Sequence, residues 1–349
     1  MKNMLVTGGC GFIGANFIRY LLKESDYTGH IINVDNLTYA GNLENLADVG
    51  IDYPEQYIFI KADICDRNRI MKIFEDYQID SVCHFAAESH VDRSIVKPDA
   101  FIQTNIVGTF NLLESAKTRL DHIIRFHHIS TDEVYGSLGK EGYFTETTPY
   151  RPNSPYSASK ASSDHLVRAF HKTYDLPVTI SNCSNNYGPY QFPEKLIPLI
   201  ILNALEGKSL PVYGDGENVR DWLYVRDHCT AIWKIMKQGK NGDTYNVGGD
   251  SEMENIKLVE MICDVLDEMD RFPDKRSRRN LITFVKDRPG HDRRYAIDFG
   301  KLSRELNWFP EASLETGIRD TIKWYMENQK WVERVKSGEY QNWIRTHYA

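Results

Sequence analysis

The sequence predicts an α/β protein in which a doubly wound parallel sheet is joined to a smaller, mostly C-terminal lobe. Three observations carry this prediction. Short apolar runs alternate with amphipathic stretches through the first half, a glycine-rich turn separates the first run from the first amphipathic stretch, and the rhythm breaks down after about residue 185.

Residues 4–7, 31–34, 57–61, 81–85, 123–129 and 178–183 are apolar runs of strand length, and residues 12–23, 67–77, 104–116 and 156–174 have helical periodicity. Strands alternating with helices pair in parallel, because each right-handed crossover returns the chain to the same end of the sheet. The first crossover opens with Gly8-Gly9-Cys10-Gly11-Phe12-Ile13-Gly14. Gly8 allows a tight turn, Gly11 lets backbone N–H groups approach a pyrophosphate at the helix N-terminus, and Gly14 permits close packing of helix on strand. This is the fingerprint of a Rossmann dinucleotide site. Asp35 ends the second run, where a carboxylate accepts from adenosine ribose hydroxyls and repels the extra phosphate of NADP, so the cofactor expected is NAD. Asp63, beside Ile64 at the end of the third run, reads equally as an adenine contact or as a helix N-cap.

Beyond residue 185, Pro189, Pro193, Pro198, Pro211 and the turn Gly214-Asp215-Gly216 interrupt shorter elements. Helical patterns return at 225–237, 256–269 and 314–328, while 244–247 has the character of a strand that rejoins the main sheet. The expected division is therefore 1–185 for the dinucleotide-binding domain with the catalytic residues, and 186–349 mainly for the substrate lobe, with some segments returning to the sheet.

Composition excludes several classes. With 42 basic and 49 acidic residues the net charge is −7, which disfavours a nucleic-acid partner or an anionic membrane surface. The basic run 275–279 is read as a solvated loop face. Six scattered cysteines, with no C-x-x-C pair and no histidine at ligand spacing, argue against a metal site and a disulfide framework. Met1 stands almost directly before the first strand, leaving no room for a signal peptide, and the apolar run 196–202 is too short to span a bilayer. A cytoplasmic protein is expected.

The chemistry is concentrated in two motifs. Tyr156 and Lys160 are four residues apart and share a helical face, where an ammonium group favours tyrosinate and lets the phenol act as a base. That pair suffices to oxidise an alcohol. Thr131-Asp132-Glu133, just after a predicted strand, adds a second proton-transfer system that simple oxidation does not need and elimination of water does. An isolated Asp-Glu pair is ordinarily a helix cap or loop charge, and the Tyr156 and Lys160 context reverses that preference. His84 and His90 are assigned packing or supporting roles, because Tyr156 already supplies the base.

With these residues in view the chain resembles the extended short-chain dehydrogenase/reductase superfamily, and within it the nucleotide-sugar 4,6-dehydratases that act on dTDP-glucose. The resemblance runs from end to end through residues 7–14, 86–92, 130–136, Tyr156-x-x-x-Lys160, 181–189, 220–222 and 287–292. It implies that Asn36, Leu37, Thr38, Phe85, Ala86, Ala87, Ser89, Thr104 and Asn186 join the cofactor side. It likewise implies that Ser89, Thr131, Asn185, Lys195, Leu196, Pro211, Tyr213, Arg220, Asn255, Arg288 and His291 line the sugar-nucleotide pocket. Arg220 and Arg288 suit a diphosphate clamp, although the residues alone read as readily as surface ion pairs.

The implied reaction has three steps with one recycled NAD: Tyr156 and Lys160 assist oxidation at carbon 4, Glu133 and Asp132 remove water across carbons 5 and 6, and hydride returns to carbon 6. The resemblance also implies a homodimer formed through residues 104–116 and 156–169, which carry apolar positions on more than one face. The rival readings are a sugar-nucleotide 4-epimerase, an oxidoreductase that releases NADH, and an NAD-sensing regulator. The first has no use for Asp132 and Glu133, and the last none for Tyr156 and Lys160.

Overall fold

The computed structural model describes residues 1–272, 274–287 and 292–337. Its centre is a sheet of β1 (Asn3–Thr7), β2 (His30–Asp35), β3 (Tyr57–Lys61), β4 (Ser81–His84), β5 (Arg125–Thr131), β6 (Val178–Cys183) and a later strand, Thr244–Val247, in the spatial order Thr244–Val247, β6, β5, β4, β1, β2, β3. All pairs are parallel. Met4, Leu5 and Val6 are fully buried, as continuous apolar strands must be when helices cover both faces. One face packs under helices Phe12–Lys23 and Val225–Gln238, the other under Arg67–Asp76, Thr109–Lys117 and Pro155–Tyr174.

The fourth crossover differs from the continuous helix expected over 104–116. Residues Ile102–Gly108 form a π-helical turn, and an α-helix follows at Thr109–Lys117. The wider turn frees the Asn105 carbonyl to accept from Thr109 Oγ1 and Ser163 Oγ, both at 2.6 Å. β5 also begins and ends two residues later than the apolar run, so Asp132 and Glu133 follow it directly in a 3-10 turn, Asp132–Tyr135. Helix Pro155–Tyr174 starts with a capping box between Ser154 and Ser157, has Pro155 at its first position, and ends at Asp175 in the left-handed region.

The remaining strands build the second lobe: β7 (Asn185–Tyr187), β8 (Leu210–Tyr213), β9 (Val219–Tyr224), β10 (Thr244–Val247, the edge of the main sheet), β11 (Glu252–Glu254) and β12 (Ile282–Val285). β7, β9 and β11 form one small sheet, and β8 pairs with β12. Helices Leu196–Leu205, Asn255–Met269 and Leu314–Glu327 close a separate apolar core with Tyr187 and Trp222.

The basic run 275–279 is only partly the solvated face expected. Arg278 is 1% exposed, donating to Asp267 Oδ1 at 2.9 Å, Asp270 Oδ2 at 3.0 Å and Ala204 O at 3.2 Å, beneath the Phe272 ring. It ties three segments of this core together, and periodicity could not reveal it because its partners, 8, 11 and 74 residues away, lie on other elements. Arg278→Ala leaves Asp267 without its buried partner and should destabilise the fold by about 3–5 kcal/mol, measurable by denaturant unfolding.

Candidate active site

The carboxyl ends of β1, β4, β5 and β6 open into one cleft. At its floor, Gly8 has φ +69° and a side chain there would meet the Ala86 backbone at 2.7 Å, while a Cβ on Gly14 would lie 2.4 Å from Gly8 O. Helix Phe12–Lys23 can approach this closely only with glycine at both positions, and its first-turn amides face the cleft with no carbonyl partner inside the helix. Asp35 is buried at the end of β2, accepting from Cys10 N at 2.9 Å and Leu37 N at 2.8 Å. It therefore braces the glycine turn as well as facing the cleft. Burial pushes its carboxyl up, against those two amide bonds.

Asp63 is not the N-cap of the following helix. That role falls to Asp66, which accepts from Arg69 N, while Asp63 accepts from Cys65 N at 2.8 Å and Asn36 Nδ2 at 3.0 Å and lines the cleft.

Thr131 caps the 3-10 turn, accepting from Glu133 N at 3.3 Å and lying 3.3 Å from Asp132 Oδ1. Asp132 is 2% exposed, and its Oδ2 has no hydrogen-bond partner among the described residues. Burial, reinforced by Glu133 and Asp221, drives its carboxyl well above the usual range, which suits a proton donor beside the more open Glu133.

Tyr156 and Lys160 stand across the cleft on helix Pro155–Tyr174. The spacing argument expects the ammonium to stabilise tyrosinate, and the structure shows what that charge would work against. Burial and then Glu133 push the Tyr156 phenol well up, and Lys160 Nζ donates to Ile129 O at 2.7 Å. Burial pulls Lys160 down to about 8, with Asp164 opposing it.

The wall formed by the second lobe follows from strand register. Asn185 pairs with Trp222, and Arg220 with Met253, so Asn185, Arg220 and Asn255 lie on adjacent strands or their ends. The Oδ1 atoms of Asn185 and Asn255 are buried without a partner among the described residues. Arg220 is buried rather than a surface ion pair, donating to Val219 O at 2.7 Å and Asp292 O at 2.9 Å over the Tyr295 ring.

The family model described as GDP-mannose 4,6 dehydratase matches residues 5–321. The dTDP-glucose 4,6-dehydratase of Shigella flexneri is 57% identical over 99% of this chain and 98% of its own length. Among solved structures, the dTDP-glucose 4,6-dehydratase of Bacillus anthracis in complex with NAD superposes with a TM-score of 0.86 at 46% identity, covering 96% of this chain and 100% of that one. That of Streptomyces venezuelae, with NAD and dTDP bound, gives 0.88 at 45%, covering 95% and 99%. The chain belongs to the GDP-mannose 4,6 dehydratase family.

In this family member the cleft is lined by Gly8, Gly11, Phe12, Ile13, Gly14, Asp35, Asn36, Thr38, Asp63, Ile64, Phe85, Ala86, Ala87, Ser89, Thr104, Thr131, Asp132, Glu133, Tyr156, Lys160, Asn185, Asn186 and Lys195. Leu37 is not among them; it is buried with φ +55° in the segment after β2, its amide held by Asp35. Leu196, Pro211, Tyr213, Arg220 and Asn255 lie on the second lobe, where Arg220 is close enough to Asp132 to oppose the rise of its carboxyl. Arg288 and His291 lie outside the described residues.

Glu88, in the segment Ala86 to Ser89 assigned to the cofactor side, lines the cleft, while Tyr39, Gln191, Phe192 and Glu194 line it unforeseen by sequence reasoning. Arg93 stacks 3.6 Å over the Tyr39 ring, and His90 lies 3.7 Å from Glu194, so His90 belongs to this rim rather than to the core. Asn105 was also missed. From the π-helical turn it donates to Ser159 Oγ at 2.8 Å and Glu88 O at 3.0 Å and accepts from Glu88 N at 2.8 Å, fixing the loop after β4 against the Tyr156 helix.

Proposed function

We propose that this chain is a hydro-lyase that converts dTDP-glucose to dTDP-4-keto-6-deoxyglucose and water with NAD as a recycled cofactor. The observation that carries the reading is the buried, anion-hostile Asp132 beside Glu133, on the cleft wall opposite Tyr156 and Lys160. An epimerase would share Tyr156, Lys160 and the glycine turn but would leave Asp132 and Glu133 without work.

The residues fit NAD: the glycine cradle admits backbone at the distance a pyrophosphate needs, and Asp35 keeps lone pairs for ribose hydroxyls. When bound, NAD accepts hydride from carbon 4 and returns it to carbon 6. Tyr156 takes the proton of the carbon-4 hydroxyl, with Thr131 hydrogen-bonding that oxygen. Since its surroundings disfavour the phenolate, the positive charge of Lys160 is needed to hold it. The carbon-4 ketone acidifies carbon 5. Glu133 removes that proton while Asp132 protonates the carbon-6 hydroxyl, which leaves as water, and Glu133 returns a proton to carbon 5 as hydride reaches carbon 6.

Arg220 and Arg288 serve the diphosphate, with Ser89, Asn185, Lys195, Leu196, Pro211, Tyr213, Asn255 and His291 completing the sugar-nucleotide site between residues 1–185 and 186–349. The working form is a homodimer. Ile95, Val96 and Ile102 are exposed apolar residues next to helix Pro155–Tyr174, which supports an interface there. All six cysteines are free thiols, which suits a reducing cytoplasm.

Three outcomes follow. Glu133→Gln should still oxidise carbon 4, visible as reduced nicotinamide absorbance, and should lose dehydration by about 10²-fold or more; product formation at the wild-type rate would sink the assignment. Asp35→Ala should raise the KM for NAD by about 10–100-fold and abolish preference over NADP, as loss of a charged hydrogen bond requires, whereas an unchanged preference would remove Asp35 from ribose recognition. Sedimentation velocity should give a dimer, and a stable monomer would refute the interface.

A further inference from the structure

We propose that Asp164 is a positioning residue for this reaction, the buried counter-charge beside His128 that keeps Lys160 cationic and aimed at the cleft. This rests on the role given to Lys160 above.

Tyr156, Lys160 and Asp164 follow one another at four-residue intervals along helix Pro155–Tyr174 and so share its inward face. His128 projects from β5 between the last two. Its Nε2 lies 3.4 Å from Lys160 Nζ and 3.3 Å from Asp164 Oδ1. The His128 and Asp164 side chains are both 0% exposed. Asp164 Oδ2 accepts from Ser130 Oγ and Tyr150 OH, each at 2.8 Å, and two donors on one oxygen favour the carboxylate. Oδ1 has no hydrogen-bond partner among the described residues, so the imidazole is the group that faces it. Nε2 accepts from the Lys160 ammonium, so the neutral imidazole carries its proton on Nδ1, and the Asp164 charge acts on Lys160 directly across this buried space.

The groups packed around this chain leave that task to Asp164. His84, its ring centroid 5.1 Å from that of His128 and tilted against it, is held neutral by burial. Thr109 Oγ1 donates to Asn105 O, so His84 Nε2 must donate to Thr109, and Nδ1 of the neutral ring then accepts from Thr7. Cys183 on β6 is pushed up to about 12, and the Tyr156 phenol is likewise held neutral by burial. On the far side of Asp164, Tyr135 and Tyr150 are protonated phenols, and Arg168 donates to Tyr150 OH at 2.9 Å. Asp164 is thus the acid between two cations, and Lys160 is the one that reaches the cleft.

The sign of the pH effect follows. A buried lysine without a nearby anion loses its proton at lower pH, so removing the Asp164 charge should bring the alkaline decline of activity to lower pH. In the NAD-loaded enzyme, Asp164→Asn should reduce kcat at least about tenfold with little change in KM, and should move the alkaline limb by about one pH unit toward acid. Asp164→Glu should restore the limb. Melting temperature and bound NAD are measured on the same samples, because a purely structural role would lower these without moving the limb. A folded Asp164→Asn enzyme with the wild-type limb and kcat overturns the proposal. If that variant does not fold, the wild type answers instead: in 13Cε-lysine-labelled holoenzyme, with the resonance assigned by its loss in Lys160→Met, Lys160 should be protonated at neutral pH. A neutral Lys160 overturns the proposal. An active Lys160→Met enzyme would overturn the catalytic assignment along with it, whereas an inactive one beside a wild-type-like Asp164→Asn would defeat this inference alone.

Discussion

Parallel pairing is the constraint on which the rest of this molecule depends. Because β1, β4, β5 and β6 all run in one direction, the turns that leave them emerge on one edge: the glycine turn, the Ala86 to Ser89 loop, Thr131 to Glu133, and Ser184 to Asn186. The β5 to β6 register sets Thr131 opposite Cys183 and Ser130 opposite Asn182, and Asn182 Nδ2 satisfies the Thr131 carbonyl at 3.1 Å. A slip of one residue would turn Ser130 and His128 to the other face of the sheet and separate them from Lys160 and Asp164.

That edge is also where burial works against charge. Asp132, Asp164 and Lys160 are all nearly or fully buried, and desolvation is the largest influence on each, raising the two acids and lowering the base. Buried ionisable groups generally cost stability, and the tasks proposed for these three are ones that a solvated group could not perform at neutral pH. The neighbouring histidines stay neutral and supply directed hydrogen bonds instead: His84 to Thr7 and Thr109, His127 to Thr179 and Ser181.

Two irregularities hold this edge in shape. The π-helical turn at Ile102–Gly108 releases Asn105 to bind both the Glu88 backbone and Ser159, joining a cleft loop to the helix that carries Tyr156. In the second lobe, Arg278 under Phe272 holds the end of helix Asn255–Met269 against Ala204, which steadies the core beneath β7, β9 and β11. Neither feature has a periodic signature. Each depends on a side chain finding backbone groups that are remote along the chain.

By itself the sequence determined the doubly wound sheet, the glycine cradle, Asp35 and the Tyr156, Lys160, Asp132 and Glu133 constellation, because alternation and glycine spacing are local patterns with few structural solutions. The strands at 57–61, 178–183 and 244–247 and the helix at 12–23 needed no correction. Tertiary structure decided what desolvation and distant contacts decide. Lys160 Nζ is anchored on Ile129 O and His128, Asp66 and not Asp63 caps its helix, and Arg278 leaves solvent. Asp164 was legible only as one more residue on a helical face. Its neighbours come from β5 and from the loop before the helix, and no spacing along the chain records that meeting.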